Sequence, residues 1–283
     1  MKLSRTGLGL LALIAILSAS GCSYINRIRA KSELNEVARN YKEKKFAEAE
    51  QHAKRALELD PDNESAPLFI ARTIHAQFRR GDTSEANLAK ANEAIEAYKK
   101  IAEKDPNNDE AFSAVTVLLG QLDKPDEQVK WVEQRANNEK VSADRRSDAY
   151  AFLASKDWDC SFKITELPAN KTTTLNEGNR ANVTYKKPSD QKEFDMAQSC
   201  VKRGLEEIEN AIKLDPNSES AWSYKTNLLL EAKKLAEMDG KTDQAAELDK
   251  QRDVAQKRTM VLSEANQKKK EAEEAKQAAS PAK

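Results

Sequence analysis

The feature that most constrains this chain is an apolar helical stripe that ends at Asp-Pro and occurs three times. The three segments are residues 46–61, 92–106 and 204–216. Each has a small residue 12 positions before its proline: Ala49, Ala94 or Gly204. Proline cannot continue the helical hydrogen-bond ladder, and the residue before it avoids the α region, so each helix is predicted to end there. A repeated helix of this kind cannot bury its stripe alone and must stack on neighbouring helices.

These segments resemble the second helix of the tetratricopeptide repeat (TPR), a helical hairpin of about 34 residues. Ala49 and Ala56 stand where that repeat carries small residues, and Phe112 and Trp222 stand where it carries a large residue after the proline. The resemblance implies an all-α fold, a TPR-like solenoid of helical hairpins. It also implies a non-enzymatic scaffold that binds protein or peptide partners.

The composition favours helix and carries no signature of nucleic-acid binding. Charged residues make up 33% of the chain, which has only 8 Gly and 8 Pro, and such a composition is typical of helical proteins. Acidic and basic residues balance at 47 each. Because nucleic-acid binding needs a clustered basic face, we expect no nucleic-acid partner.

The N-terminus resembles the signal sequence of a bacterial lipoprotein. Lys2 and Arg5 flank the start of a short apolar segment, residues 7–17, which is too short to span a bilayer and is typical of a secretory signal. It leads into Ser-Ala-Ser-Gly-Cys, which resembles a lipobox that is cut before Cys22.

The lipobox resemblance implies a signal peptide over residues 1–21 and several acyl chains on Cys22, which anchor the chain firmly to a membrane. Ser23 follows the cysteine, and a residue other than Asp at that place implies the outer membrane, with the protein facing the periplasm. The alternative is an ordinary secretory signal with a chance cysteine.

Two further cysteines, Cys160 and Cys200, are predicted to form a disulfide. In an oxidising envelope, an even pair is more often a disulfide than a metal site or a nucleophile. The bridge would fasten the irregular segment between them to the helical body. The alternative is two buried thiols.

The chain divides by its patterns into six segments. They are the signal peptide at 1–21, a lipidated tether at 22–32, TPR-like repeats at 33–156, an irregular insertion at 157–190, another TPR-like repeat at 191–240, and a long charged C-terminal helix with a tail at 241–283. Within the insertion, alternation and β-branched residues at 160–165 and 181–186 predict two short strands or an extended hairpin arm. So long an interruption is uncommon unless it is functional or disordered.

The sequence contains none of the common motifs for catalysis, cofactor binding or metal binding. We therefore expect no enzyme activity, no catalytic residue, no cofactor, no metal and no small-molecule substrate. Asp157 and Asp159 flank Trp158, and two carboxylates beside an aromatic ring are found at carbohydrate sites. Two residues apart in a predicted loop, however, they have no defined separation in space.

The TPR resemblance places a partner-binding groove on the first helix of each hairpin. The positions that face the groove in that family correspond here to Ser65, Leu68, Arg72, His75, Ser223 and Asn227. Arg72 and Asn227 carry groups that bind a peptide carboxylate or backbone. The fuller Lys/Asn/Arg set with which the family clamps two carboxylates is not reproduced. The alternative is that these residues are merely solvated.

Three hypotheses about function follow from these patterns. The first is a lipid-anchored periplasmic scaffold that binds an envelope protein or peptide, with a role in envelope or outer-membrane assembly. The second is a structural lipoprotein that self-associates or contacts the cell wall through the insertion and the C-terminal helix. The third is an enzyme or glycan-binding protein that uses the insertion.

Overall fold

The computed structural model describes residues 5–175 and 181–278, with side chains described for residues 23–175 and 182–276. The chain divides into two compact units, Met1–Gln128 and Val129–Lys283. Each unit is built from helices that pack on their neighbours in the sequence. The side chains of the expected signal peptide and of Cys22 are outside the range for which side chains are described.

The described residues of the first unit form five complete helices and the start of a sixth. They are α1 (Arg5–Lys42), α2 (Phe46–Leu59), α3 (Ala66–Gln77), α4 (Glu85–Lys104), α5 (Asp109–Gln121) and α6 (Pro125–Asn137), which continues into the second unit. From α1 to α5, each helix packs on the next. Residues 23–32, assigned to a tether from the sequence, are helical, and Ala30 is buried against Ala56 and Ala66.

In the described part of the second unit, the rest of α6 is followed by four long helices and a small hairpin. They are α7 (Ala143–Thr165), β1 (Lys171–Leu175), β2 (Ala181–Tyr185), α8 (Gln191–Leu214), α9 (Glu219–Met238) and α10 (Thr242–Ala278). Helix α7 packs on α8 and α9, and α10 packs on α9. The strands are antiparallel, with Thr173 opposite Val183.

All three Asp-Pro helices end where the sequence predicts. Helices α2, α4 and α8 end one residue before Asp60, Asp105 and Asp215. The three aspartates share nearly the same backbone, with φ between −137° and −128°, and each donates its N–H to the last turn of its helix. The extended conformation that a following proline imposes therefore sets each boundary.

The small residues of the repeated stripe lie where helices approach most closely. Ala49 and Ala94 are fully buried. At Gly204 a Cβ atom would lie 2.7 Å from Leu228 Cδ2, on α9. Closer packing of this kind lets neighbouring helices bury their apolar stripes together.

The predicted strand at residues 160–165 is wrong, because these residues form the last turns of α7. The buried face of this helix carries Ala154, Asp157, Ser161 and Thr165. Spacings of three and four residues are typical of a helix. Most of these buried positions, however, carry small polar side chains, so a search for regularly spaced apolar residues does not detect the helix. Asp157 and Asp159 accordingly lie on a helix and not in a loop. The second predicted strand is confirmed as β2.

Within the described part of the chain, no helix combines the length and the apolar character that crossing a membrane requires.

Candidate binding grooves

Each unit carries a groove that contains some of the residues expected to bind a partner. Groove 1, in the first unit, has a volume of about 440 Å³ and is lined by residues of α1, α3, α4 and α5 and of the loop after α3. These are Tyr41, Arg72, His75, Ala76, Phe78, Arg80, Tyr98, Glu110 and Gln121.

Arg72 is already paired with a carboxylate of its own chain. Its Nε and Nη2 atoms donate to the two carboxylate oxygens of Glu110 at the start of α5. Its guanidinium also lies 5.7 Å from the centre of the Phe69 ring. Both charged side chains are 40% exposed, and an exposed pair of this kind contributes only about 0–1 kcal/mol. Arg72 therefore does bind a carboxylate through two nitrogens, but that carboxylate belongs to Glu110 of the same chain and not to a partner.

Two neutral polar rings form the floor of groove 1. His75 meets Tyr98 edge to face, with ring centroids 5.9 Å apart. Burial lowers the pKa of His75, and burial together with the Glu110 carboxylate raises the pKa of Tyr98 above its usual range. Both rings are therefore uncharged at neutral pH. Neither makes a hydrogen bond to the residues that the structure describes, although Tyr98 is only 2% exposed.

Ser65 and Leu68 do not line groove 1. Ser65 is an exposed residue at the start of α3, where its backbone N–H donates to Asn63 Oδ1 at 3.0 Å. Leu68 is half-buried one turn further along. Sequence reasoning missed Tyr98 and Glu110, because they come from α4 and α5 and spacing within α3 carries no information about the next hairpin.

Groove 2 lies in the second unit, has a volume of about 770 Å³ and contains Ser223 and Asn227. The two side chains lie one turn apart on α9, beside Tyr224 and Trp158. The rings of Trp158 and Tyr224 are 6.3 Å apart at an angle of 54°. None of the polar atoms of these four side chains hydrogen-bonds to another described residue.

Hydrogen bonds order the rim of groove 2. Asn266 of α10 donates to Glu219 at 2.8 Å, and Arg258 donates to Asn217 Oδ1 at 2.8 Å. Asp215 accepts from the Asn217 backbone N–H at 2.9 Å. The rim is thus bonded within the chain itself, while the polar atoms of the floor side chains are not.

Cys160 and Cys200 form a disulfide between α7 and α8, with Cα atoms 6.2 Å apart. The bridge joins the two helices that carry the hairpin. Near it, Arg203 donates to Asp157 Oδ1 at 2.6 Å. Burial raises the pKa of Asp157, and Arg203 opposes this. Asp157 therefore pairs with an arginine of α8 instead of forming a two-carboxylate site with Asp159, which pairs with Lys163 at 2.6 Å.

A buried ionic network fastens the hairpin to the helices. Glu231 of α9 is 1% exposed, and its Oε2 accepts hydrogen bonds from the hydroxyls of Ser161 and Thr165 at 3.1 and 2.7 Å. Lys234 donates to Glu231 Oε1 and to Glu166 Oε1, both at 2.7 Å. Glu166 also accepts from the Tyr185 hydroxyl of β2 at 2.9 Å.

Glu166 accepts a further bond from Lys171 of β1, at 2.7 Å. Both strands are therefore tied to the same carboxylate at the end of α7. No pattern in the sequence indicates this network, because its members are spread over residues 161–234.

Among the described residues, no group of three or more His, Cys, Asp or Glu side chains is placed to hold a metal ion. Of the two histidines, His52 forms a 2.6 Å contact with Glu33, and His75 lies on the floor of groove 1.

A repeat model matches one helical hairpin of the chain. A family model described as "Protein prenyltransferase alpha subunit repeat" matches residues 201–232, which span the α8–α9 hairpin. No curated protein sequence matches the chain.

Several solved structures are similar at low identity. MamA is 15% identical over 82% of this chain and 94% of its own, with a TM-score of 0.41. YrrB, described as a TPR protein with an unusual peptide-binding site, is 12% identical over 83% and 90%, with a TM-score of 0.37. PilF of Pseudomonas aeruginosa is 14% identical over 80% and 91%, with a TM-score of 0.32. At these values the likenesses support no conclusion about function.

Proposed function

We propose that this protein is a non-enzymatic scaffold, anchored by lipid on Cys22, that binds a segment of a partner protein in groove 1. The observation that carries the proposal is the hydroxyl of Tyr98. This side chain is 2% exposed, lines the groove and has no hydrogen-bond partner among the described residues. The hydroxyl can both donate and accept a hydrogen bond, so a polar group of a partner that enters the groove can pair with it.

The other groups of groove 1 suit a peptide. The Tyr98 hydroxyl and His75 are neutral, and each can donate or accept a hydrogen bond, as a peptide backbone requires. The Arg72–Glu110 pair is exposed and contributes little. A carboxylate of the partner can therefore replace Glu110 on the guanidinium with a small change in free energy.

The location of the protein is part of the same proposal. Lipid on Cys22 would hold the chain at the outer membrane, facing the periplasm, as the lipobox resemblance and Ser23 imply. Tethering raises the effective concentration of a captured partner near the membrane, which suits a role in the assembly of envelope or outer-membrane proteins.

A pull-down from detergent-solubilised envelopes tests this function. The bait is the mature protein, compared with Tyr98→Phe, which removes one hydroxyl, and Arg72→Gln, which removes one charge. Arg55→Gln is the matched control, because Arg55 forms an exposed pair with Glu58 on α2 outside the groove. We expect a partner that both groove variants lose and the control retains. Retention by groove variants that are folded by circular dichroism would overturn the proposal.

A second candidate function is self-association through the hairpin and α10. Both elements expose large apolar side chains: Leu175 (70%), Val183 (40%), Val254 (64%), Met260 (64%) and Val261 (57%). Replacing residues 172–184 by a short Gly-Ser turn leaves Glu166, Lys171 and Tyr185 in place. A lower mass of the variant in sedimentation equilibrium would support this candidate, and an unchanged mass would count against the hairpin.

A further inference from the structure

We infer that groove 2 is a binding site for an uncharged oligosaccharide. Eleven residues line this groove, and they comprise two aromatic residues, Trp158 and Tyr224, with nine Asp, Glu, Asn and Ser residues. None of the eleven is aliphatic and none is Lys or Arg. The inference concerns a different groove from the one that carries the proposed function and does not depend on it.

The floor of groove 2 offers polar groups in the mixture that sugars require. The indole N–H of Trp158 is a donor, the hydroxyls of Ser223 and Tyr224 donate and accept, and the Asn227 amide does both at separate atoms. All four side chains are half-buried and have no hydrogen-bond partner within the described structure. Neighbouring hydroxyls on a sugar ring are also donors and acceptors, so one amide can bind two of them.

The two aromatic rings provide the apolar part of the site. One face of many pyranose rings carries only C–H groups, which pack on the electron-rich face of an aromatic ring. Trp158 and Tyr224 are neighbours, with centroids 6.3 Å apart and ring planes inclined at 54°, so each ring would contact a different part of the ligand. A carboxylate on the rim, such as Asp215, accepts hydrogen bonds from outward-pointing hydroxyls.

The lining of groove 2 favours an uncharged ligand. It contains the carboxylates of Asp215 and Glu219 and no Lys or Arg, which disfavours phosphates and carboxylate-terminated peptides there, and the nearby cation, Arg258, is already bonded to Asn217 Oδ1 at the rim. Extended peptides are recognised through pockets for alternate side chains, and groove 2 has no aliphatic wall to form one. An uncharged polyhydroxylated ligand fits a lining that has carboxylates, no Lys or Arg, and no aliphatic wall.

Hydrogen bonds within the chain also join the parts of the rim. Its hydrogen bonds join Asn266 to Glu219 and Arg258 to Asn217, so α10 and the α8–α9 turn are held around the opening. Because these rim residues are already bonded in the free protein, binding has to order fewer side chains, and this lower entropic cost favours affinity.

Nuclear magnetic resonance of the tryptophan side chains tests the inference. The chain has three tryptophans, Trp131, Trp158 and Trp222, and only Trp158 lines groove 2. The full chain, labelled with ¹⁵N, is titrated with chitotetraose and with maltotetraose, and single Trp→Phe variants assign the three indole signals. We expect a saturable shift of the Trp158 signal with at least one probe, while the Trp131 signal stays unchanged.

Two variants of α9 make the result specific. Asn227→Ala removes an amide that has no partner in the described structure, so the fold is expected to persist, and its affinity should fall about tenfold or more. Thr226→Ala is the matched control, because Thr226 directly precedes Asn227 in the chain and does not line the groove. The inference is overturned if neither sugar shifts the Trp158 signal, if Asn227→Ala titrates like the unchanged protein, or if only a lysine-containing tetrapeptide produces the shift.

Discussion

At the scale of single residues, the second unit depends on charges that are buried and almost fully paired. Lys234 and Glu231 are only 4% and 1% exposed, and ionised groups at such burial are tolerated only with partners. Each carboxylate oxygen of Glu231 has a donor, and Lys234 also lies 4.6 Å from the centre of the Tyr185 ring. The network therefore joins α7, α9 and the hairpin through side chains alone.

Glu231→Ala should destabilise the second unit by about 3–5 kcal/mol, because it leaves Lys234 without its most buried partner and the hydroxyls of Ser161 and Thr165 without an acceptor. Urea denaturation followed by tryptophan fluorescence measures this, since all three tryptophans lie in the second unit. The double variant Glu231→Leu/Lys234→Met should recover the part of the loss that comes from the unpaired Lys234. A single variant as stable as the unchanged protein would show that the network contributes little.

Acid should weaken the attachment of the hairpin through Glu166. Burial disfavours its charge, but hydrogen bonds from Lys171, Lys234 and Tyr185 outweigh burial and lower the pKa from 4.5 to about 2. A carboxyl with a lowered folded-state pKa contributes stability that is fully present above about pH 4.5 and is lost as the pH falls towards 2.

The urea midpoint of the second unit, measured between pH 5.5 and 2.5, checks this expectation. Glu166→Gln should be less stable at pH 5.5 and should show a smaller loss on acidification. An equally steep pH dependence in the variant would assign the effect to other carboxylates.

At the scale of elements, close approach between helices sets the geometry of the second unit. Gly204 of α8 faces Leu228 of α9, which is fully buried, and Asp157 of α7. The disulfide between Cys160 and Cys200 crosslinks α7 and α8 at the base of the hairpin. With a sequence separation of 40, such a bridge contributes roughly 3–4 kcal/mol in the chain-entropy model.

Gly204→Ala should destabilise the α8–α9 contact, because the new Cβ would lie 2.7 Å from Leu228 Cδ2 and 3.1 Å from Asp157 Cβ. Overpacking of this kind costs about 1–3 kcal/mol, and the higher helix propensity of alanine returns about 1 kcal/mol of that. The exposed Lys202→Ala on the same helix is the control and should change stability little. A more stable Gly204→Ala variant, measured by urea denaturation, would contradict the packing argument.

At the scale of the whole molecule, the two units carry different grooves. Groove 1 has an arginine–carboxylate pair above neutral rings, whereas groove 2 is acidic and aromatic without a cation in its lining. These chemistries select different ligands, which is why we assign a peptide to the first and a sugar to the second. A scaffold with two such sites would bind two classes of ligand at once.

Cys22→Ser should release the whole chain from the membrane, because acyl chains at that residue are the expected anchor. Fractionation of cells that express tagged protein measures this, with Ser20→Ala as a control that keeps the cysteine. Recovery of Cys22→Ser in the membrane fraction would contradict lipid anchoring at this residue.

The candidate sites were predictable only in part. Arg72 with His75, and Ser223 with Asn227, do line grooves, because residues three or four apart share one face of a helix. Glu110, Tyr98 and Trp158 complete those grooves from other helices, and no spacing within the sequence links them to their neighbours. The last turns of α7 were missed for a related reason, since Ser161 and Thr165 are buried by hydrogen bonds to Glu231 and not by apolar contact.

The sequence by itself determined the ends of the three Asp-Pro helices. Helical hydrogen bonds connect residues four apart, so Asp-Pro at 60–61, 105–106 and 215–216 and the small residues before it act locally. The tertiary structure decided which helix faces meet. It therefore decided that the Glu110 carboxylate pairs with the Arg72 guanidinium, and that the Glu166 carboxylate accepts hydrogen bonds from both strands. Those contacts join side chains that are far apart in the chain, so they cannot be inferred from the spacing of residues within one helix.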